Sequence, residues 1–291
     1  MDQLIIEARI NEYAMRSENP HVPWSSQEIT DDAVRCREAG ASIVHFHSRT
    51  PDGAPEHRYE SYAETISQIR ERTDILIHPT LGAATNDVSA AERIETVVRL
   101  ASDPATRPDL APMDMGSANL DFYDQNNQRF YTNDVIYKNS TATLEHFAGA
   151  ISDARMKHYV VSWNIGFTRQ TLAFMDMGLL PEPIFLLFVL TDGALLAGHP
   201  GTAAGLDAHL AMLPRDRKIE WAVCNHGGDM LPLVDKVIGE GGHIAIGLGD
   251  HSYAKNEPMN NAELIAQVAN RAAAAGRPLA DPQTVRAQLK M

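Results

Sequence analysis

Among the 291 residues only two are cysteines, Cys36 and Cys224, and they form no CxxC spacing. A disulfide framework and a cysteine metal site are thereby excluded, and both are read as buried thiols of a reducing compartment. No run approaches the ~20 apolar residues of a membrane span. The opening MDQLIIEARINEY has acids early and no basic segment ahead of an apolar one, so no leader is expected there and a cytoplasmic location is expected. Positive charge is also short. Against 38 Asp and Glu stand 25 Lys and Arg, and the resulting net charge of −13 repels phosphate backbones and anionic lipid, so neither nucleic acid nor membrane is expected as a partner. The motifs G-x-G-x-x-G and G-x-x-x-x-G-K-[ST] are missing, which counts against an open, doubly wound nucleotide-binding sheet.

What is present is an alternation of short Val, Ile, Leu and Phe runs with helical patterns. The proposed strands are 4–10, 42–47, 75–80, 110–116, 158–164, 183–190, 218–224 and 243–249. Eight such units predict an α/β fold, a single (β/α)8 TIM barrel spanning 1–291 as one domain. The helices carry their own punctuation. Ser25 and Glu28 form a capping-box pattern before Ile29, Ala33 and Cys36, Gly40 stops that helix, and Ser89 and Glu92 repeat the device. Residues 118–140 form a long polar, tyrosine-rich excursion after strand four, a candidate lid or subunit contact.

In such a barrel the ionisable groups at the C-terminal strand ends are the catalytic candidates. They are Asn11 and Glu12, then His45, His47 and Arg49, His78 and Thr80, Asp114, His226 and Asp229, and finally Asp250 and His251. The sharpest is His45-Phe46-His47, because residues two apart on a strand share a face and two imidazoles so placed can chelate one divalent cation. The bland alternatives are that His45 faces the helices, or that both rings hydrogen-bond within the barrel mouth without metal. Arg49 fits either a salt bridge or a bidentate grip on a substrate carboxylate. Asp250 follows Gly-Leu-Gly and fits a third metal ligand, a general base or a local cap.

The chain resembles, end to end, the β-keto acid cleavage enzymes, often named after 3-keto-5-aminohexanoate cleavage. The resemblance rests on NPHVPWSSQEI (19–29), AGASIVHFHSRTPDGAP (39–55), GGHIAIGLGD (241–250) and NAELIAQVANRAAAAGRPLADPQ (261–283). It implies a zinc-dependent TIM barrel with His45 and His47 on the metal, or on another divalent cation. It also implies a retro-Claisen exchange of a short β-keto acid with acetyl-CoA as co-substrate, giving acetoacetate and a new acyl-CoA, and a homo-oligomer. Asp250, Arg49 and Thr80 are the catalytic candidates, Thr80 standing for a serine that faces substrate. Three positions depart from the pattern: Gly249 replaces the usual third ligand, a glutamate, Ala245 replaces an arginine, and Val161 replaces a glutamate. The third ligand is then expected from Asp250 first, or from Glu12, His226 or His251. An aldolase, hydrolase or isomerase acting on another oxo-acid, or a ligand-binding barrel without catalysis, are the alternative functions.

Overall fold

A computed structural model describes residues 3–82, 88–255 and 257–291. Eight parallel strands make the barrel: β1 (Ile6–Arg9), β2 (Ile43–Phe46), β3 (Leu76–Pro79), β4 (Leu110–Asp114), β5 (Lys157–Ser162), β6 (Ile184–Thr191), β7 (Ile219–His226) and β8 (His243–Ile246). Their spatial order is β3-β2-β1-β8-β7-β6-β5-β4, so chain neighbours lie side by side all the way round. At the β3–β4 seam Asp109 does the joining: its N–H donates to the Ile77 carbonyl at 2.9 Å, and its carboxylate accepts from the Ile77 N–H at 2.8 Å. Pro79 and Pro112 stand in those two strands and have no N–H to add to a ladder. The arrangement is the expected barrel and not the open sheet.

The period of two along β1 decides what faces where. Ile6, Ala8 and Ile10 pack outward against the helices, while Ile5, Glu7 and Arg9 alternate with them. Register then sets Arg9 beside His45 and His45 beside His78 on three adjacent strands. Helices α1 (Ser26–Glu38), α2 (Tyr59–Arg72), α3 (Ala90–Leu100), α4 (Thr141–Asp153), α5 (Ile165–Asp176), α6 (Ala203–Leu210), α7 (Val234–Gly239) and α8 (Asn261–Ala274) form the outer layer. The capping boxes at Ser25–Glu28 and Ser89–Glu92 are both made, each worth about 1 kcal/mol. Cys36 and Cys224 are buried and free.

Two features go beyond the sequence reading. A ninth helix, α9 (Pro282–Leu289), packs Val285 and Leu289 against the start of the barrel interior, beside Ile5 and Leu110. Strand β8 stops at Ile246, three residues earlier than the 243–249 run suggests, and Gly247–Asp250 turns across the end of β1 instead. A Cβ at Gly247 would lie 2.0 Å from the Arg9 carbonyl oxygen, an approach only glycine permits. The 118–140 excursion is built from two antiparallel pairs, Ala118–Asn119 with Ile136–Tyr137 and Tyr123–Asp124 with Arg129–Phe130. It folds back over the barrel mouth, fastened to the loop after β6 by the Tyr123 N–H on the Ala194 carbonyl at 2.7 Å.

Candidate active site

A cavity of about 590 Å³ opens at the C-terminal ends of the strands, roofed by the excursion. His45, His47, Glu12, His78, Thr80, His226 and Asp114 line it, together with Arg9, His57, Tyr137 and Trp163. At its centre the Glu12 carboxylate reaches both imidazoles: Oε1 lies 2.9 Å from His45 Nε2, and Oε2 lies 2.7 Å from His47 Nε2. All three groups are buried. Among the described residues, Glu12, His45 and His47 form one of two clusters whose ligand atoms converge closely enough for one ion; the other is Glu7, His45 and His78, deeper in the barrel.

The protonation pattern tests whether a cation fits. Nδ1 of His45 is 2.8 Å from the His78 carbonyl oxygen, which can only accept, so Nδ1 carries the ring proton. In the neutral ring Nε2 is then a bare lone pair facing a carboxylate oxygen. Burial alone would raise the Glu12 carboxyl, but Arg9, His45 and His47 outweigh it and hold it well below the usual carboxylate range, so it is ionised at neutral pH. Oε1 makes no directed hydrogen bond, although Arg9 Nη2 stands at 2.5 Å. Two imidazole nitrogens and one anionic oxygen, converging in a buried pocket, are the donor chemistry of a divalent transition metal.

Neighbouring groups fix these three. The Asn11 side chain accepts from the His47 backbone N–H at 2.8 Å and donates to its carbonyl at 2.8 Å, so the residue beside Glu12 fixes the backbone that carries the second imidazole. Glu12 itself has φ +35, the left-handed region that a non-glycine residue adopts under strain. Arg49 clamps that turn: Nη1 donates to the Glu12 carbonyl at 2.7 Å, Nη2 to the Ala14 carbonyl at 3.1 Å, and Nε to the Gly53 carbonyl at 2.8 Å. Arg49 borders an outer hollow with Trp24 and Thr50 instead of the cavity. Its donors are thus spent on the backbone turn that carries Glu12.

The expected strand-eight ligand is also displaced. Asp250 faces Arg9, with Nε 2.8 Å from Oδ2, and His226, with Nδ1 3.4 Å from Oδ1, and lies outside both ion clusters. His226 lines the cavity through a ring tied to Asp250, and His251 packs edge-on against Tyr253, so neither joins the cluster. Asp229 is exposed and caps Leu231. Burial would lower the His226 ring, but Asp250 and, farther off, Glu12 outweigh it and raise the ring above its ordinary value. Thr80 lines the cavity; its Oγ1 accepts from the Gly82 N–H at 3.1 Å, leaving its own proton to donate. Glu12 lies where a side chain at Gly249 would go, since a Cβ there would stand 2.4 Å from Glu12 Cγ. The space a side chain at 249 would need is filled from β1.

A sequence profile for the beta-keto acid cleavage enzymes matches residues 3–291. This chain belongs to that family. A beta-keto acid cleavage enzyme relative, the 3-keto-5-aminohexanoate cleavage enzyme of Fusobacterium nucleatum, is 26% identical over 100% of this chain and 99% of its own length. The 3,5-dioxohexanoate:acetyl-CoA acetone transferase of Paraburkholderia graminis is 25% identical over 85% of this chain and 81% of its own. Among solved structures, the apo structure of ObcA superposes with a TM-score of 0.73 at 15% identity, covering 93% of this chain and 66% of that longer one, which shows a shared barrel.

Arg9, Glu7 and His57 escape the sequence reading. The signal for the first two is the strict alternation of Glu7 and Arg9 with Ile6, Ala8 and Ile10, which puts two charges inside the barrel. His57 lies in a loop where no periodicity points inward.

Proposed function

We propose that the chain cleaves a short β-keto acid by acyl exchange with acetyl-CoA, and that His45, His47 and Glu12 hold the divalent cation this needs, zinc being the natural choice for two imidazoles and a carboxylate. The observation that carries this reading is the convergence of those three groups at the mouth of a barrel belonging to this family. In the overall exchange the bond between the keto carbon and the methylene carbon breaks, the R–CO group ends on the CoA sulfur, and the acetyl group ends on the methylene carbon as acetoacetate. Bound there, the cation supplies Lewis-acid polarisation of the keto and carboxylate oxygens.

The remaining tasks fall to the chain. The Thr80 hydroxyl has a proton to donate to a substrate oxygen. Arg9, between Glu12 and Asp250, offsets the negative charge gathered on that side. His226 holds a proton on a ring that Asp250 orients through Nδ1, leaving Nε2 as the nitrogen Asp250 does not engage; Asp250 acts through it as a positioning residue. The roof formed by 118–140 excludes water from the acyl group in transit.

Mixing the protein with a β-keto acid panel and acetyl-CoA tests the reading. New acyl-CoA and acetoacetate should form in equal amounts, stop with a chelator and return with zinc. Free CoA thiol without a new acyl-CoA would instead show a hydrolase.

A further inference from the structure

The cavity has two unlike walls. Arg9, Glu12, His45, His47 and His78 stand on the β1–β3 side. The opposite side, at β5 and β6, presents Val161, Leu187 and Val189, and the roof and the loop after β6 add Leu120, Val135 and Leu195. Val161 and Leu187 are register partners on adjacent strands, Phe122 of the roof bridges Leu195, and all of them line the same cavity. Two of its members, Leu187 and Val189, are 1% and 3% exposed.

Charge is what this wall lacks. Among the described residues lining the cavity, Arg9 is the one permanent cation, engaged by Glu12 and Asp250 on the far side, and His226 at the end of β7 is paired with Asp250 as well. The one acid near the wall, Asp114, already has a donor on each oxygen: Oδ1 accepts from Trp163 Nε1 and Oδ2 from the Tyr137 hydroxyl, each at 2.6 Å. A second carboxylate placed here would lose its water beside aliphatic side chains, with the nearest cationic ring, His226, already paired with Asp250, and an ammonium group would have to compete with two hydrogen bonds for Asp114.

Building on the proposed function, in which the β-keto acid head sits at the His45–His47–Glu12 cluster, we propose that the group beyond the keto carbon is an uncharged alkyl substituent that packs on the Val161–Leu187–Leu195 wall. Burying each further methylene there favours the transition state by roughly tenfold until the wall is filled.

Three six-carbon probes share the same head and differ in the tail: 3-oxohexanoate, 3-oxoadipate and 5-amino-3-oxohexanoate. With the zinc-loaded protein and acetyl-CoA, kcat/KM for 3-oxohexanoate should exceed both charged probes by at least about tenfold. Calorimetric binding of the same three acids without acetyl-CoA should rank them identically. A charged probe that equals or beats 3-oxohexanoate in either measurement overturns the inference. If none yields a new acyl-CoA, the cleavage reading fails on its own, while the binding order still decides the nature of the tail. Val161→Lys should move the preference toward 3-oxoadipate; should that variant misfold, Leu195→Lys at the roof asks the same question, and an unchanged preference in the folded variant counts against the wall as the tail's site.

Discussion

The two walls of the cavity are made by the same architecture and obey opposite rules. On β5 and β6 the inward positions are filled with Val161, Leu187 and Val189, which stabilise the barrel by burial and need no partner. On β1 and β2 the inward positions carry Glu7, Arg9, His45 and His47, each buried and tolerable only through the others. One wall is folding core that also borders the cavity. The other is a site whose cost is met by mutual charge and, in the proposed function, by a cation.

The contrast breaks most visibly in a pair of substitutions. His47→Ala should abolish bound zinc and lower turnover by more than about 100-fold, since even partners one step removed from a metal are worth 10–100-fold, while thermal stability without metal stays nearly unchanged. Leu187→Ala should do the reverse, keeping one zinc per chain but losing about 2–5 kcal/mol in denaturant unfolding. Elemental analysis and unfolding curves on both proteins check the crossover; equal loss of stability from both would erase the distinction.

A smaller effect sharpens it. The Cβ of Gly249→Ala meets Glu12 Cγ at 2.4 Å, so this single methyl should cost about 1–3 kcal/mol and weaken zinc binding about tenfold. The double change Glu12→Gly with Gly249→Glu empties one side and supplies the carboxylate from the other, and should bind zinc more tightly than Glu12→Gly alone in a competition titration.

The smallest effect is one of pH. His226 has its proton held above the ordinary value by Asp250. A raised folded value means that the protonated pair contributes stability fully below about pH 6.5 and loses it as pH rises through the higher folded value. The stability gap between the parent and His226→Gln should therefore narrow on going from pH 6 to pH 9, whereas the Leu187→Ala gap should stay flat, both followed by urea unfolding.

The barrel and the His45–His47 pair were legible in the sequence because both rest on local periodicity: eight apolar runs, and two rings on one face of a strand. The place of Glu12 between those two rings was not, although Glu12 stood among the candidates. Sequence favours Asp250 because GGHIAIGLGD preserves its register, but the fold turns the chain after Ile246 and places Asp250 against Arg9 and His226. Which of two residues 238 positions apart in the chain reaches a shared point depends on the β1–β8 pairing, and no local pattern encodes that. The contacts of Arg49 were hidden for the same reason, since its place in the H-x-H-x-R run suggests the mouth while its donors reach the backbone turn that carries Glu12. The apolar wall was hidden differently: Val161 reads only as a missing glutamate until Leu187 and Leu195 are seen to continue its surface.

The most direct test of the ligand set is zinc affinity after stripping and reloading, compared between the parent and Glu12→Gln, which keeps the shape and removes the charge. The parent should take up one zinc per chain, with Glu12→Gln at least about 100-fold weaker and Asp250→Asn close to the parent. Full affinity in Glu12→Gln, with the loss appearing in Asp250→Asn instead, would contradict the account.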